Sequence, residues 1–473
     1  MTTATAKLPL RTKIAFGSGS LAFGIKDQGF NALLMLYYNQ VIGLPATWVG
    51  LAILVATFVD AIMDPVIGQW SDHHRSRLGR RHPFMYASAL PVAVGYLLFW
   101  APPDAAPAVQ CAWLLVTSIL VRVGISTFEV PSAALLAEFT TDYDERTSLS
   151  LWRSVFLAVG IVGGGMVALK VFLTPTPEQP VGQLNAAGYE QYGIFAAAAM
   201  FVAILVATRG TQYRIRVLNP PKPRAVGENL LSNLKLLFTD RAYLSLVGAL
   251  FFFAVATGIS GTLGTYVQTY FWKLSADQLG SLAGWAGLGA ILGLVFAGTA
   301  GKRKKRVTLG AYAVALVASV LLVSLKLAGV ITSEGKDLMP WIALQVLVVT
   351  GSITIGIVMG ASMLADVADH IELKTTRRME GLMFAALIMT QKAIQGLGVF
   401  LSGMILAAIG FPEKASPDTV DPAIVMHLGL VHVLCLGVLV MLALVSVGGY
   451  PITRESHDRT VATLREARAG GAA

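Results

Sequence analysis

Apolar stretches about as long as a bilayer is thick recur from one end of this 473-residue chain to the other, and no other feature constrains the fold as strongly. A helix needs roughly 20 apolar residues to cross the hydrocarbon core. Twelve segments qualify: roughly 14–43, 47–70, 84–101, 109–139, 148–174, 190–208, 242–273, 277–299, 307–330, 340–366, 381–410 and 423–449. Backbone polar groups in lipid must be satisfied within the segment itself, so spans of this length are helices. With 55% hydrophobic and 13% charged residues and a mean hydropathy of +0.66, an ordinary water-soluble domain is excluded. The expected fold class is an all-α membrane protein with twelve transmembrane helices. The first span is too long for a cleaved signal peptide and is expected to be retained.

The net charge of +9 follows membrane sidedness, so no nucleic-acid partner is expected. Lys7, Arg11 and Lys13 precede span one, and Arg75, Arg77, Arg80 and Arg81 follow span two. Further basic runs lie at 209–224, 302–306 and 374–378, whereas the alternate connections carry almost none. By the positive-inside rule both termini are cytoplasmic, which requires an even number of spans. A multi-pass protein of the plasma (inner) membrane is expected. Cys111 and Cys435 lie far apart within apolar spans, without metal-ligand spacing, and read as packing residues. No phosphate loop, HExxH or nucleophile elbow stands out, so neither an ATP-driven pump nor a typical hydrolase is supported, and no enzyme activity or cofactor is expected.

Two acids break the second span, in Asp60-Ala61-Ile62-Met63-Asp64-Pro65. A charge at membrane depth costs roughly 2.5–3.5 kcal/mol on insertion scales, so an intramembrane pair is a functional-site hypothesis by default. Spaced i,i+4, Asp60 and Asp64 share one helix face. Pro65 has no N–H to give the Ala61 carbonyl, which leaves an oxygen-rich site between the acids, suited to Na⁺ or H⁺. The alternative is that these acids pair with basic residues of neighbouring helices. In span four Arg122, Ser126 and Glu129 recur at i, i+4 and i+7 and share a face, where Arg122 calls for an acidic partner. Lys26-Asp27 in span one reads as an ion pair or as cavity lining, after glycines 17, 19 and 24 that permit close helix packing. The aromatic run ending span seven, Tyr266 to Trp272, reads as interfacial, with Gln268 as a candidate cavity contact.

A segment after span four, Ala137-Glu138 through Asp142 to Arg146, has a counterpart after span ten, Ala365-Asp366 through Asp369 to Arg377. Each ends an apolar span on a small residue and an acid, followed by a loop of mixed charge. Spans four and ten are equivalent positions when two six-helix halves repeat. The proline-containing stretch 209–241 separates those halves as a linker. The expected domains are therefore 1–208, a six-helix bundle; 209–241, a cytoplasmic linker; 242–450, a second bundle; and 451–473, a cytoplasmic tail.

After span two, Gly68-Gln-Trp-Ser-Asp72-His-His-Arg-Ser-Arg77-Leu-Gly79-Arg80-Arg81 resembles the cytoplasmic loop motif of the major facilitator superfamily. With Asp60 to Pro65 just before it, the chain is similar to the glycoside–pentoside–hexuronide:cation symporters, typified by melibiose permease. That resemblance implies two pseudo-symmetric bundles working by alternating access. It implies cation binding at Asp60 and Asp64 with the hydroxyls Ser126 and Thr127. Substrate contacts are expected at Asp27, Arg122, Glu129, Arg153, Gln268 and Lys392, the last linking substrate and cation sites. Gating charges are expected at Asp72, Arg80, Arg81, Glu138, Arg146, Asp366, Asp369 and Arg377. The family's sugar-gripping acid of the first helix falls at Gly24, and two aromatic positions fall at Ala133 and Ile357. Lys26 and Arg122 add positive charge instead, which suits a uronide. Expected partners are thus a small-molecule substrate (sugar, uronide or amphiphile such as a lysophospholipid), a coupling cation and the lipid bilayer.

Overall fold

A computed structural model of the chain describes residues 8–140, 142–214, 237–299, 303–332, 335–375 and 380–470. Among them there is no strand. The helices are α1 (Leu10–Gln28), α2 (Ala46–His73), α3 (His82–Phe99), α4 (Pro107–Phe139), α5 (Tyr143–Ala158), α6 (Ala186–Gln212) and α7 (Arg241–Tyr266). They continue with α8 (Ala276–Thr299), α9 (Lys304–Leu327), α10 (Met339–Thr375), α11 (Glu380–Ala408), α12 (Pro422–Gly448) and α13 (Arg454–Gly470). Ten helical segments among the described residues are long and apolar enough to span a membrane, covering α2 to α10 and α12. The other two expected spans are α1, continued by further helical turns to Ile42, and α11, of which Gly396–Ala408 stands out as a shorter apolar helix.

Among the described residues, three spans are not uniform α-helix. Wider π-type turns occur at Gly29–Leu33 and Tyr37–Ile42 after α1, at Val159–Gly163 and Ala168–Phe172 after α5, and at Val267–Phe271 after α7. An i→i+5 turn inserts one residue and rotates the side chains beyond it, a feature frequent at functional sites. The span-ten segment also departs from expectation. Asp366 and Asp369 lie inside α10, which stays helical to Thr375, rather than opening into a loop. Span seven brings a second correction: Tyr266, Tyr270 and Trp272 are buried, not interfacial. The Tyr266 hydroxyl donates to Asn39 Oδ1 at 2.9 Å and that of Tyr270 to Gln40 Oε1 at 3.0 Å. Those polar partners explain why the rings turn away from lipid, since a phenol buried with an acceptor loses nothing by leaving the interface.

The chain divides into two compact units. The first comprises 1–223, 261–284 and 399–424; the second comprises 224–260, 285–398 and 425–473. In the first, α1 and the α5 run meet backbone to backbone. A Cβ added to Gly24 would stand 2.4 Å from the Leu157 carbonyl oxygen, and one on Gly160 would stand 2.5 Å from that of Leu21. In the second unit, Phe253 on α7 stacks on Tyr312 of α9, ring centroids 4.3 Å apart. Asp240 caps α7 there by accepting from the N–H groups of Ala242 at 2.9 Å and Tyr243 at 3.2 Å, and it pairs with Lys374 at 2.8 Å. Burial would raise its carboxyl, but the Lys374 ammonium and the two N–H groups outweigh that and hold it below the usual carboxylate value. A depressed acid stabilises above its unfolded value and loses that contribution as pH falls through the folded one. Asp240→Ala is expected to cost about 1 kcal/mol, as for other N-caps. Thermal unfolding at neutral pH and near pH 3 checks this, the gap between variant and wild type closing at the lower pH.

Candidate coupling and substrate site

Asp60 and Asp64 lie one turn apart on α2, which runs unbroken through Pro65. Asp60 is 5% exposed, whereas Asp64 is half-buried. On α4, Ser126 donates its hydroxyl to Asp60 Oδ1 at 2.6 Å. Arg122, one turn earlier on α4, brings Nη1 to 4.0 Å from Asp60 Oδ2. Its guanidinium carbon stands 4.9 Å from the centroid of the Phe30 ring, a cation–π contact from the π-type turn after α1. So α2 supplies the acids and α4 a hydroxyl and a counter-charge, as the i,i+4 spacing of Arg122 and Ser126 dictates. Thr127 donates its hydroxyl to the Val123 carbonyl at 2.7 Å and bonds within its own helix. On α1, Lys26 Nζ lies 3.6 Å from Asp27 and 4.2 Å from the Phe23 ring centroid.

A second cluster lies further along α4. Glu129 accepts a hydrogen bond from Arg153 of α5. The pair opens on a cleft of about 290 Å³ lined also by Ser20, Phe23, Ser150 and Ser154. A carboxylate, a guanidinium, three hydroxyls and one aromatic face form the kind of polar set that orients a polyhydroxylated or acidic ligand. Arg122 and Asp27 are not among the residues that line this cleft. Sequence reading passed over the three serines and Phe30. Ser150, Arg153 and Ser154 do share a helix face at i, i+3 and i+4, and that periodicity could have revealed them. Gln268 is half-buried in the π-type turn after α7. The side chain of Lys392 and the whole of Arg377 lie outside the described residues.

The expected gating charges fall into two sets, one per unit. In the first, Arg80 Nη2 and Arg81 Nε donate to Glu138 Oε1 at 2.7 and 2.6 Å, and Arg81 also reaches Asp72 at 2.8 Å. Gly79 takes φ +77°, the left-handed turn that presents both arginines to one carboxylate. Arg146 donates from Nε to the Thr140 carbonyl at 2.9 Å. In the second unit, Lys304 binds Asp366 at 2.7 Å and Asp369 follows one turn later on α10. Glu138 at the end of span four and Asp366 at the equivalent place in span ten each hold a cation from the basic loop that follows span two or span eight. The sequence repeat is therefore also a repeat of contacts.

The sequence profile described as MFS/sugar transport protein matches residues 15–454. An uncharacterised symporter of Synechocystis is 25% identical, with 95% of this chain and 96% of that protein covered. A putative glycoside/cation symporter of Escherichia coli is 26% identical, with 88% and 86% covered. A crystal structure of a D-xylose–proton symporter superposes with a TM-score of 0.64 at 12% identity, with 94% and 98% covered, and so shares the fold. A profile match over nearly the whole length, multiple apolar spans and the repeated acid clamp agree: the chain belongs to the MFS/sugar transport protein family, multi-pass membrane transporters of the major facilitator fold.

Proposed function

We propose that this transporter is a secondary active symporter that couples uptake of a glycoside or sugar acid to a cation gradient by alternating access. The observation that carries the reading is the Asp60/Asp64 pair at membrane depth, with Ser126 and Arg122 gathered on Asp60. Two acids one turn apart make a cation site in a setting where each charge otherwise costs roughly 2.5–3.5 kcal/mol. The family membership and the kinship with a putative glycoside/cation symporter support the same reading. Glu129 and Arg153 are assigned to the substrate, with Lys392 linking it to the cation site. Asp72, Arg80, Arg81, Glu138, Arg146, Asp366, Asp369 and Arg377 are assigned to opening and closing. We place both termini in the cytoplasm and the two bundles at 1–208 and 242–450. Coupling requires only that cation and substrate each bind one conformation more tightly and in mutual dependence. An amphiphile as cargo is not favoured, since one relative is named a putative glycoside/cation symporter and another an isoprimeverose transporter.

Substrate-evoked current on proteoliposomes tests this. Neutral glycosides, uronides and lysolipids are applied with and without Na⁺ at two pH values. A current evoked by a glycoside or uronide and lost in Asp64→Asn is the expected result. Full gradient-driven uptake by Asp64→Asn would sink the coupling assignment, and flux of lysolipids alone would sink the substrate assignment.

A further inference from the structure

Arg122 is bound in an unusual way for a buried arginine. The residue is 7% exposed, and it meets Asp60 only at 4.0 Å, with the Asp27 carboxylate also within electrostatic reach. Among the described residues its buried Nε has no hydrogen-bond acceptor. A guanidinium that serves as a structural strut normally uses its fork in two parallel bonds to one carboxylate. Here the fork stands over the Phe30 ring and faces the acid as a point charge. Ser126 donates to Asp60 Oδ1, and the guanidinium faces Oδ2 of the same carboxylate. An alkali ion held between Asp60 and Asp64 would stand within a few ångströms of a fixed positive charge. Repulsion between unit charges ~4 Å apart, at an effective dielectric of about 20, lowers an affinity by roughly a thousandfold. Lys26 on α1 adds a second cation, itself engaged by Asp27.

We infer that Arg122 is a tethered cation at the Asp60/Asp64 pair, which excludes Na⁺ and Li⁺ from it and so decides which ion the carrier can couple. The inference rests on the reading of that pair as the cation site and makes it more specific. It also reassigns Arg122, which on sequence grounds belonged with the substrate contacts: its charge acts on the ion site, and the substrate cleft is built by Glu129 and Arg153.

Na⁺ titration of the purified full-length protein tests it without any substrate. Choline replaces Na⁺ at constant ionic strength, and tryptophan fluorescence and thermal unfolding are followed. Wild type and Arg122→Lys, which keeps the charge, are expected to give no saturable Na⁺ response. Arg122→Gln is expected to gain one, with affinity raised at least roughly a hundredfold by removal of the repulsion. That response should vanish in the Asp60→Asn/Arg122→Gln double variant. A saturable wild-type response that Arg122→Gln leaves unchanged overturns the inference. So does a folded Arg122→Gln without a response, or a response that survives loss of Asp60. Arg122→Met, close in volume, replaces Arg122→Gln if the latter misfolds. If neither folds, a saturable Na⁺ response in wild type is still enough to overturn the inference, and its absence in both wild type and Arg122→Lys upholds the exclusion. Failure of the symport reading appears elsewhere, as gradient-driven uptake that persists in Asp64→Asn.

Discussion

Asp60→Asn is expected to abolish gradient-driven accumulation and to destabilise the protein, two losses with separate causes. The first follows from chemistry: an amide cannot carry the negative charge that would draw a cation to the proposed site. The second follows from desolvation. Arg122 would keep its charge in a place 7% exposed, without the carboxylate that faces it at 4.0 Å. Breaking a buried ion pair by removing one partner costs about 3–5 kcal/mol, and the long contact places this case at the lower end. Neutralising both ends removes the stranded charge, so Asp60→Asn/Arg122→Gln is expected to recover most of the stability and none of the accumulation. Non-additivity of that kind is what residues in direct interaction display. Uptake into energised vesicles and thermal unfolding, measured on all three variants, check it. Equal destabilisation in the double and single variants would mean that Arg122 takes its compensation from elsewhere.

The parts of this architecture that depend on local periodicity were readable in the sequence. Apolar length gives the spans, alternating charge gives the sides, and i,i+4 spacing puts Asp60 with Asp64 and Arg122 with Ser126. The repeat around Glu138 and Asp366 is legible for the same reason, because each is an acid at the end of a span facing a basic loop. What needed the structure was pairing across helices. Nothing in the sequence says that Phe30 lies beneath Arg122, because that depends on the extra residue inserted by the π-type turn at Gly29–Leu33. Nor does composition reveal that Tyr266 and Tyr270 point at Asn39 and Gln40, since an aromatic run at a span end fits the interface equally well until acceptors are found.

Gly24→Asp is expected not to restore a sugar-gripping acid but to prevent close packing of α1 on the α5 run. Family resemblance places such an acid at this position, and by sequence alone its loss reads as a vacancy in the pocket. The geometry gives another reason for glycine. A Cβ at position 24 would lie 2.4 Å from the Leu157 carbonyl oxygen and 2.9 Å from the Gly160 Cα, both backbone atoms that no rotamer change can move aside. The carboxylate beyond it would then sit against a carbonyl oxygen of like polarity. Overpacking of this sort costs about 1–3 kcal/mol for added methylenes alone, and the charge adds to it. Gly24→Ala should already lower the unfolding midpoint, and Gly160→Ala should do so comparably, because its own Cβ would meet the Leu21 oxygen at 2.5 Å. In the Gly24→Ala/Gly160→Ala pair the second change should cost less than the first, since helices already forced apart have room for it. If Gly24→Asp instead folds with wild-type stability and gains affinity for a neutral glycoside, α1 can shift away from α5 and the pocket is more plastic than the backbone contacts indicate. The expected outcome ties substrate choice to packing: with position 24 closed by backbone, the proposed substrate contacts are those of the cleft lined by Glu129, Arg153 and the serines around them.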